Sequence, residues 1–255
     1  MPEELQQSDA GAQRLSQYPA IAPPVPLDLW QSPPHPCPYI PGRLATMRAF
    51  MSGDIAPEIY HAFMDANFRR SGRLIYQPTC AGCRACQSLR VVASEFVPSK
   101  SQRRCLRKNA DLVLSNCKQE PTQEKYQLYR RYQLHWHGKD DASFDEFKEF
   151  LYDSPVQTLD FEYRDVAGKL LAVGVCDVSR ESLSSVYFYF DPSECKRRLG
   201  TFGAVREIQW AASNGIPYYY LGYWVGPCSA MRYKATFDPH QVLDGDGVWR
   251  TRARF

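Results

Sequence analysis

No stretch of this chain approaches the roughly 20 consecutive apolar residues that cross a bilayer, and its N-terminus lacks the charged lead and apolar core of a secretory signal. The sequence therefore predicts a soluble cytosolic protein with no membrane partner. Nor is there an even set of cysteines: there are nine, and an odd number without an export signal reads as reduced thiols rather than a disulfide frame. Histidine is scarce, at five residues. His135 and His137 flank Trp136 and face different sides of a helix, which removes them as a ligand pair. No Ser/His/Asp triad and no internal repeat is discernible. Acids are also missing from one long stretch, with none between Glu95 and Asp111.

What is present suits an ordinary globular body. The 255 residues are 44% apolar, 13% aromatic and 23% charged, enough for two compact units or one large α/β body. The net charge of +3 hides a segregation. Residues 37–108 carry twelve Lys/Arg against four Asp/Glu, and residues 109–180 carry nine against thirteen. A localised basic surface of this kind is the footprint of a polyanion binder.

Within that basic stretch lies Cys80-Ala81-Gly82-Cys83-Arg84-Ala85-Cys86. Thiolates two residues apart can converge on one ion, so Cys80, Cys83 and Cys86, completed by Cys37, point to a zinc or iron–sulfur site. The alternative is a set of small buried thiols without metal. Cys105, Cys117, Cys176 and Cys195 read as packing residues, and nothing in the sequence calls for an organic cofactor.

Residues 1–36 hold eight prolines and little periodicity, and read as an extended or disordered leader. Residues 37–118 form the basic, cysteine-containing unit, and residues 119–255 the second domain. A helix is expected from Glu58 to Arg70, stopped by Ser71-Gly72, then a strand at Leu74–Tyr76, the cysteine knuckle, and a strand at Leu89–Val92. Ser99 caps a helix running to about Asn109. On it Lys100, Arg103, Arg104, Arg107 and Lys108 recur at i, i+3, i+4, i+7 and i+8, placing five cations on one face. Helices follow at Thr122–Trp136 and Ser143–Tyr152.

Three strands come next, at Gln157–Arg164, Leu170–Val178 and Ser184–Phe190, then a glycine-bearing loop, a helix from about Thr201 to Asn214, and a strand at Pro217–Trp224. This is the element order of the acyl-CoA N-acyltransferase (GNAT) fold, so the expected class is α+β: an N-terminal cysteine-knuckle region and a C-terminal GNAT-like mixed sheet with flanking helices. The loop Arg197-Arg198-Leu199-Gly200-Thr201 approaches the pyrophosphate-cradling pattern of that fold, but bulky Phe202 follows where a small residue is expected.

Several motifs together resemble one family. Cys37-Pro38-Tyr39-Ile40-Pro41-Gly42, Phe68-Arg69-Arg70-Ser71-Gly72, the knuckle, Ser101-Gln102-Arg103-Arg104, Asp191-Pro192, Leu199-Gly200-Thr201 and Tyr220-Leu221-Gly222-Tyr223-Trp224 are similar to the aminoacyl-tRNA protein transferases. More narrowly they resemble the bacterial leucyltransferases, relatives of eukaryotic arginyltransferases. The resemblance implies transfer of leucine from Leu-tRNA to the α-amine of proteins beginning with Asp or Glu, which marks them for degradation. Two departures stand out. Eukaryotic relatives carry Cys-x-x-Cys where Cys37 is followed by Pro38-Tyr39-Ile40, and a family lysine is absent from Cys228-Ser229-Ala230-Met231-Arg232-Tyr233-Lys234.

Aminolysis of an ester needs positioning more than a strong base, since an α-amine has a pKa of about 7.7–8.0. An acidic acceptor side chain requires cations, for which Arg197, Arg198, Arg206 and Lys234 are the candidates. Tyr187 and Tyr189 alternate along one face of a strand and could line the substrate groove, or pack a core. Glu207 and Asp191 are the acids placed to take a proton or orient the amine, with capping as the other reading of Asp191. The five cations of the Lys100 helix are assigned to tRNA. Competing readings are an arginyl donor, a CoA-dependent acetyltransferase opposed by Phe202, and an RNA-binding knuckle protein without transferase activity.

Overall fold

The computed structural model describes residues 21–139 and 141–252. Part of the expected leader, residues 1–20, lies outside them. The rest of that leader already carries structure: β1 (Trp30–Gln31) pairs with Arg48 and Ala49, and β2 (His35–Pro36) pairs with β3 (Leu44–Ala45). Ordered backbone therefore starts before Cys37, because the sheet edge supplies the partners a proline-rich segment cannot supply itself.

β4 (Met47–Met51) leads into a helix at Pro57–Asp65, with proline in its first turn. The helix does not run to Arg70 as expected. Asn67 adopts a left-handed φ of 64°, which asparagine tolerates better than most residues, and the chain turns into β5 (Arg69–Ser71). β6 (Leu74–Pro78) completes a four-stranded sheet ordered β1-β4-β6-β5. The knuckle then leads to β7 (Gln87–Val92).

Ser99 caps the helix Lys100–Lys108 through a reciprocal capping box with Gln102. Gln102 and Cys105 face inward, leaving all five cations exposed. β8 (Val113–Lys118) follows, then the helix Gln123–His137, started by Thr122 and ended by left-handed Gly138. A short helix at Phe144–Phe147 runs into a wider π turn at Lys148–Tyr152.

β9 (Thr158–Arg164), β10 (Leu170–Val178) and β11 (Ser182–Phe190) form the expected antiparallel meander. The helix Leu199–Ser213 crosses over to β12 (Tyr218–Trp224), which pairs parallel to β11. The hairpin β13 (His240–Leu243) and β14 (Trp249–Arg252) closes the far edge. The result is one mixed eight-stranded sheet ordered β14-β13-β7-β12-β11-β10-β9-β8, so strands from either side of residue 118 share it.

The two faces are covered differently. Leu199, Val205, Ile208 and Ala211 of one helix pack on Leu183, Phe161 and Tyr219. Leu128 and Tyr129 of another pack with Phe147 and Leu151 on Val173, Val175 and Tyr189. Period-two alternation along β10 and β11 feeds both layers. No helix among the described residues is long and apolar enough to cross a membrane.

Candidate active site

β11 and β12 pair only over Ser182–Ser184 and Tyr218–Tyr220. Beyond that point β11 stays with β10, β12 stays with β7, and the two diverge. A bulge between Tyr220 and Tyr223, with Gly222 at φ 76°, widens the opening. Such divergence at the carboxyl ends of parallel strands leaves backbone and side chains facing a crevice. A cavity of about 150 Å³ lies there, bordered by Ser185, Gly222, Tyr223, Arg69, Arg70 and Lys234.

Arg70 is clamped. Its Nε and Nη2 donate to the two carboxylate oxygens of Asp177 at 2.7 Å each, and the hydroxyls of Tyr60 and Thr158 donate to the same carboxylate at 2.6 and 2.7 Å. Burial opposes the charge on Arg70, but Asp177 outweighs it and holds its pKa above the usual arginine value.

Arg69 is equally buried, at 8% exposure, but differently served. Its Nη1 donates to the carbonyls of Phe68 and Met64 at 2.6 and 3.3 Å, while its Nε and Nη2 are buried without a hydrogen-bond partner. Its guanidinium lies 5.5 and 5.3 Å from the ring centroids of Tyr220 and Tyr223. No carboxylate among the described residues pairs with it. Beside it, Lys234 donates to the Tyr223 carbonyl at 2.8 Å, and burial, then the charge of Arg69, pulls its pKa down to about 8. Two neighbouring cations without an anion make a strongly positive cavity.

A second, larger cavity of about 630 Å³ lies across the 3-10 segment Ser229–Thr236. Met231 and Lys234 of that segment face the small cavity, and Arg232, Ala235 and Thr236 face the large one. Ser99, Ser101 and Gln102 bring the N-terminus of the basic helix to it, and Arg198 and Thr201 bring that of the Leu199–Ser213 helix. Both helix dipoles thus present their positive ends. Arg198 holds a left-handed φ of 58° and donates to the Ser101 hydroxyl at 3.0 Å. None of Lys100, Arg103, Arg104, Arg107 and Lys108 ion-pairs with a carboxylate among the described residues; Arg103 and Lys108 donate to the backbone carbonyls of Pro98 and Lys196.

The other candidates scatter. Arg206 is exposed and bonds Gln209 on its own helix, and Arg197 is bidentate to Asp111 and also paired with Glu194, so neither borders the small cavity. Tyr187 accepts from Gln133, and Tyr189 is wholly buried beside Tyr152, both on the face packed by the Gln123–His137 helix. Asp191 caps the turn at Pro192 through Ser193 and pairs with Lys169, which keeps its pKa low despite burial. Phe202 is buried edge-on to Tyr163, so its ring does not fill the loop as bulk alone suggested.

Glu207 sits in the core with no cation. The hydroxyls of Tyr219 and Tyr163 donate to it at 2.6 and 3.3 Å, and the Cys176 thiol at 3.5 Å. Burial pushes its pKa up. Any side chain at Gly174 would strike the Glu207 carboxyl, which explains the glycine. Ser185 borders the small cavity and stands close to the Tyr219 hydroxyl.

The knuckle lies between β6 and β7. The Cys80 thiol is buried against the Thr46 backbone, accepting from its N–H at 3.5 Å. Burial, then the neighbouring Cys80, Cys83 and Cys37, pushes the Cys86 thiol up to about 12. All four thiols are therefore within electrostatic reach of one another, but no three Cys, His, Asp or Glu groups among the described residues stand at metal-ligand spacing.

Residues 35–104 match the family model "Arginine-tRNA-protein transferase, N terminus", and residues 124–244 match "Arginine-tRNA-protein transferase, C terminus". The chain is 38% identical over 229 residues to an aspartate/glutamate leucyltransferase of Hahella chejuensis, covering 88% of this chain and 97% of that one. It is 41% identical over 231 residues to an aspartate/glutamate leucyltransferase of Rhizorhabdus wittichii, covering 86% of each. Similar solved structures include L-PGS from Bacillus licheniformis, at TM-score 0.45 and 12% identity over 68% of this chain and 52% of that one. FemX gives TM-score 0.43 and 8% identity over 64% and 59%.

Proposed function

Because the chain belongs to the aminoacyl-tRNA protein transferase family, we propose that it transfers leucine from leucyl-tRNA to the α-amine of proteins beginning with Asp or Glu, marking them for degradation. The observation that carries this reading is the pair of cavities sharing the Ser229–Thr236 wall. The larger, with two helix N-termini and the cationic helix at its rim, suits the phosphates of the tRNA acceptor end. The smaller, with its buried cations, suits an acidic N-terminal residue.

The reaction forms an N–C bond and breaks the C–O ester bond. One proton leaves the amine and one arrives on the departing ribose oxygen. The aminoacyl end of the donor would reach past the Ser229–Thr236 segment to the small cavity, and holding its ester carbonyl about 3–3.5 Å from the amine supplies most of the acceleration. A proton leaving the amine would pass by the Ser185 hydroxyl at the small cavity to Tyr219, with Glu207 acting through its hydrogen bond to Tyr219 rather than on the substrate. A leucyl rather than arginyl donor fits the charge balance. A third guanidinium would need a carboxylate, and Asp177 is committed to Arg70 while Asp238 stands beside His240.

Offering leucyl-tRNA, arginyl-tRNA and acetyl-CoA separately to an Asp-initiated peptide tests the donor. Transfer from leucyl-tRNA alone is expected; transfer from acetyl-CoA, or from none of the three, overturns the reading.

Cys37, Cys80, Cys83 and Cys86 do not stand at metal-ligand spacing as they lie and would hold a zinc or iron–sulfur group only by drawing together, with the N–H of Thr46 on Cys80 the kind of contact that supports a metal-bound thiolate. Such a group would cross-link the knuckle to the segment around Cys37 after the thiols lose their protons. Metal analysis after anaerobic purification should find near-stoichiometric zinc or iron. Protein that is metal-free yet fully active removes the proposal.

A further inference from the structure

Arg70 and Arg69 are adjacent, similarly buried, and treated in opposite ways. Arg70 uses the edge formed by Nε and Nη2 to grip both oxygens of Asp177. Arg69 borders the small cavity, and the same edge of its guanidinium is buried with no hydrogen-bond partner among the described residues. A guanidinium held this way keeps two N–H donors away from water, and an anion that met them would satisfy both. Its two parallel N–H groups match the two oxygens of a carboxylate. Lys234 reaches the same cavity, and one further nitrogen there, Nη1 of Arg70, is buried without a partner. The cavity, about 150 Å³, has room for one small side chain, and Val186, Leu221 and Met231 stand on its wall beside the cations.

We propose that Arg69, Arg70 and Lys234 form the site that receives the side-chain carboxylate of the acceptor's first residue, and so select Asp and Glu. This assignment rests on the transfer reading above. In it Arg69 grips the carboxylate by its free edge, Lys234 adds charge from the Ser229–Thr236 wall, and Arg70 contributes one N–H while Asp177 fixes its position. The acceptor's amine then stands toward the Ser185 side of the cavity, next to the proton route, and its backbone leaves through the mouth between β11 and β12. Asn and Gln are rejected because an amide turns an N–H₂ donor toward guanidinium donors.

Calorimetric titration of the full chain with the dipeptides Asp-Ala, Glu-Ala, Asn-Ala and Gln-Ala, without tRNA, reads this site apart from transfer. The acidic peptides should bind at least about a hundredfold more tightly than the amides. Arg69→Gln, which keeps a polar group near the Phe68 and Met64 carbonyls, should erase the preference. So should Lys234→Met in part, by about tenfold, and this second variant covers the case in which the first fails to fold. Folded variants should keep their affinity for leucyl-tRNA while the KM for an Asp-initiated acceptor rises. Equal binding of Asp-Ala and Asn-Ala by the unaltered protein overturns the assignment, as does an intact preference in both folded variants. Binding of inorganic phosphate but not of Asp-Ala does the same. Acid-selective, Arg69-dependent binding together with failed leucyl transfer upholds this site and overturns the donor reading instead.

Discussion

Asp177→Ala is expected to destabilise the fold by about 3–5 kcal/mol, because it strands the buried guanidinium of Arg70 without a counter-charge. The Asp177 side chain is 0% exposed and accepts from Arg70, Tyr60 and Thr158 together. Through these contacts one carboxylate on β10 fastens the Pro57–Asp65 helix, β5 and β9, so its loss loosens the junction between the small and the large sheet. With a urea m-value of about 3 kcal/mol/M, the unfolding midpoint should fall by about 1 M or more. Replacing the pair together, Arg70→Met with Asp177→Leu, should recover most of that stability, because a buried ion pair is worth little more than well-packed apolar residues. Transfer to acidic acceptors should remain impaired in the double variant. A midpoint unchanged in Asp177→Ala would mean that water reaches Arg70.

Exchanging Lys100, Arg103, Arg104, Arg107 and Lys108 for Gln should weaken tRNA binding by about a thousandfold or more at 0.1 M salt. It should also lower the slope of log K against log salt by about 3.5 to 4.5 if all five meet phosphates. Folding should not confuse the result. The helix is started by the Ser99–Gln102 capping box and docked through buried Gln102 and Cys105, which remain. The exchange even removes like-charge pairs at i,i+3 and i,i+4, so melting temperature should hold or rise slightly. Filter binding over a salt series reads both quantities. An unchanged slope would place the tRNA elsewhere.

Much of this architecture is legible in the sequence where local signals agree with one another. Ser99 with Gln102, Thr122 with Gly138, and the apolar run Leu170–Val178 mark elements that the structure contains within a residue or two. The site is less legible because long-range packing decides it. Nothing near Arg69 and Arg70 announces that they turn inward. The periodic pattern of Glu58–Arg70 reads on through them, and only Asn67, tolerant of a left-handed φ, hints at the break. What draws Arg70 inside is a carboxylate 107 positions away.

Charge alone likewise does not tell which of the candidate cations border the small cavity. Arg206 and Arg197 are exposed or locally paired, whereas Lys234 borders the cavity because the Ser229–Thr236 turn carries it there. Tyr187 and Tyr189 follow the commoner fate of alternating aromatics and pack under a helix. β8, β13 and β14 escaped notice because Val113–Lys118 shows little alternation and the C-terminal hairpin gains its register from β7.

The most direct measurement is tandem mass spectrometry of an Asp-initiated peptide after incubation with the purified protein and leucyl-tRNA, beside the same peptide with its α-amine acetylated. The account predicts one added leucyl residue on the α-nitrogen of the free peptide and none on the acetylated one. An unmodified free peptide, or leucine attached to the blocked peptide, would contradict it.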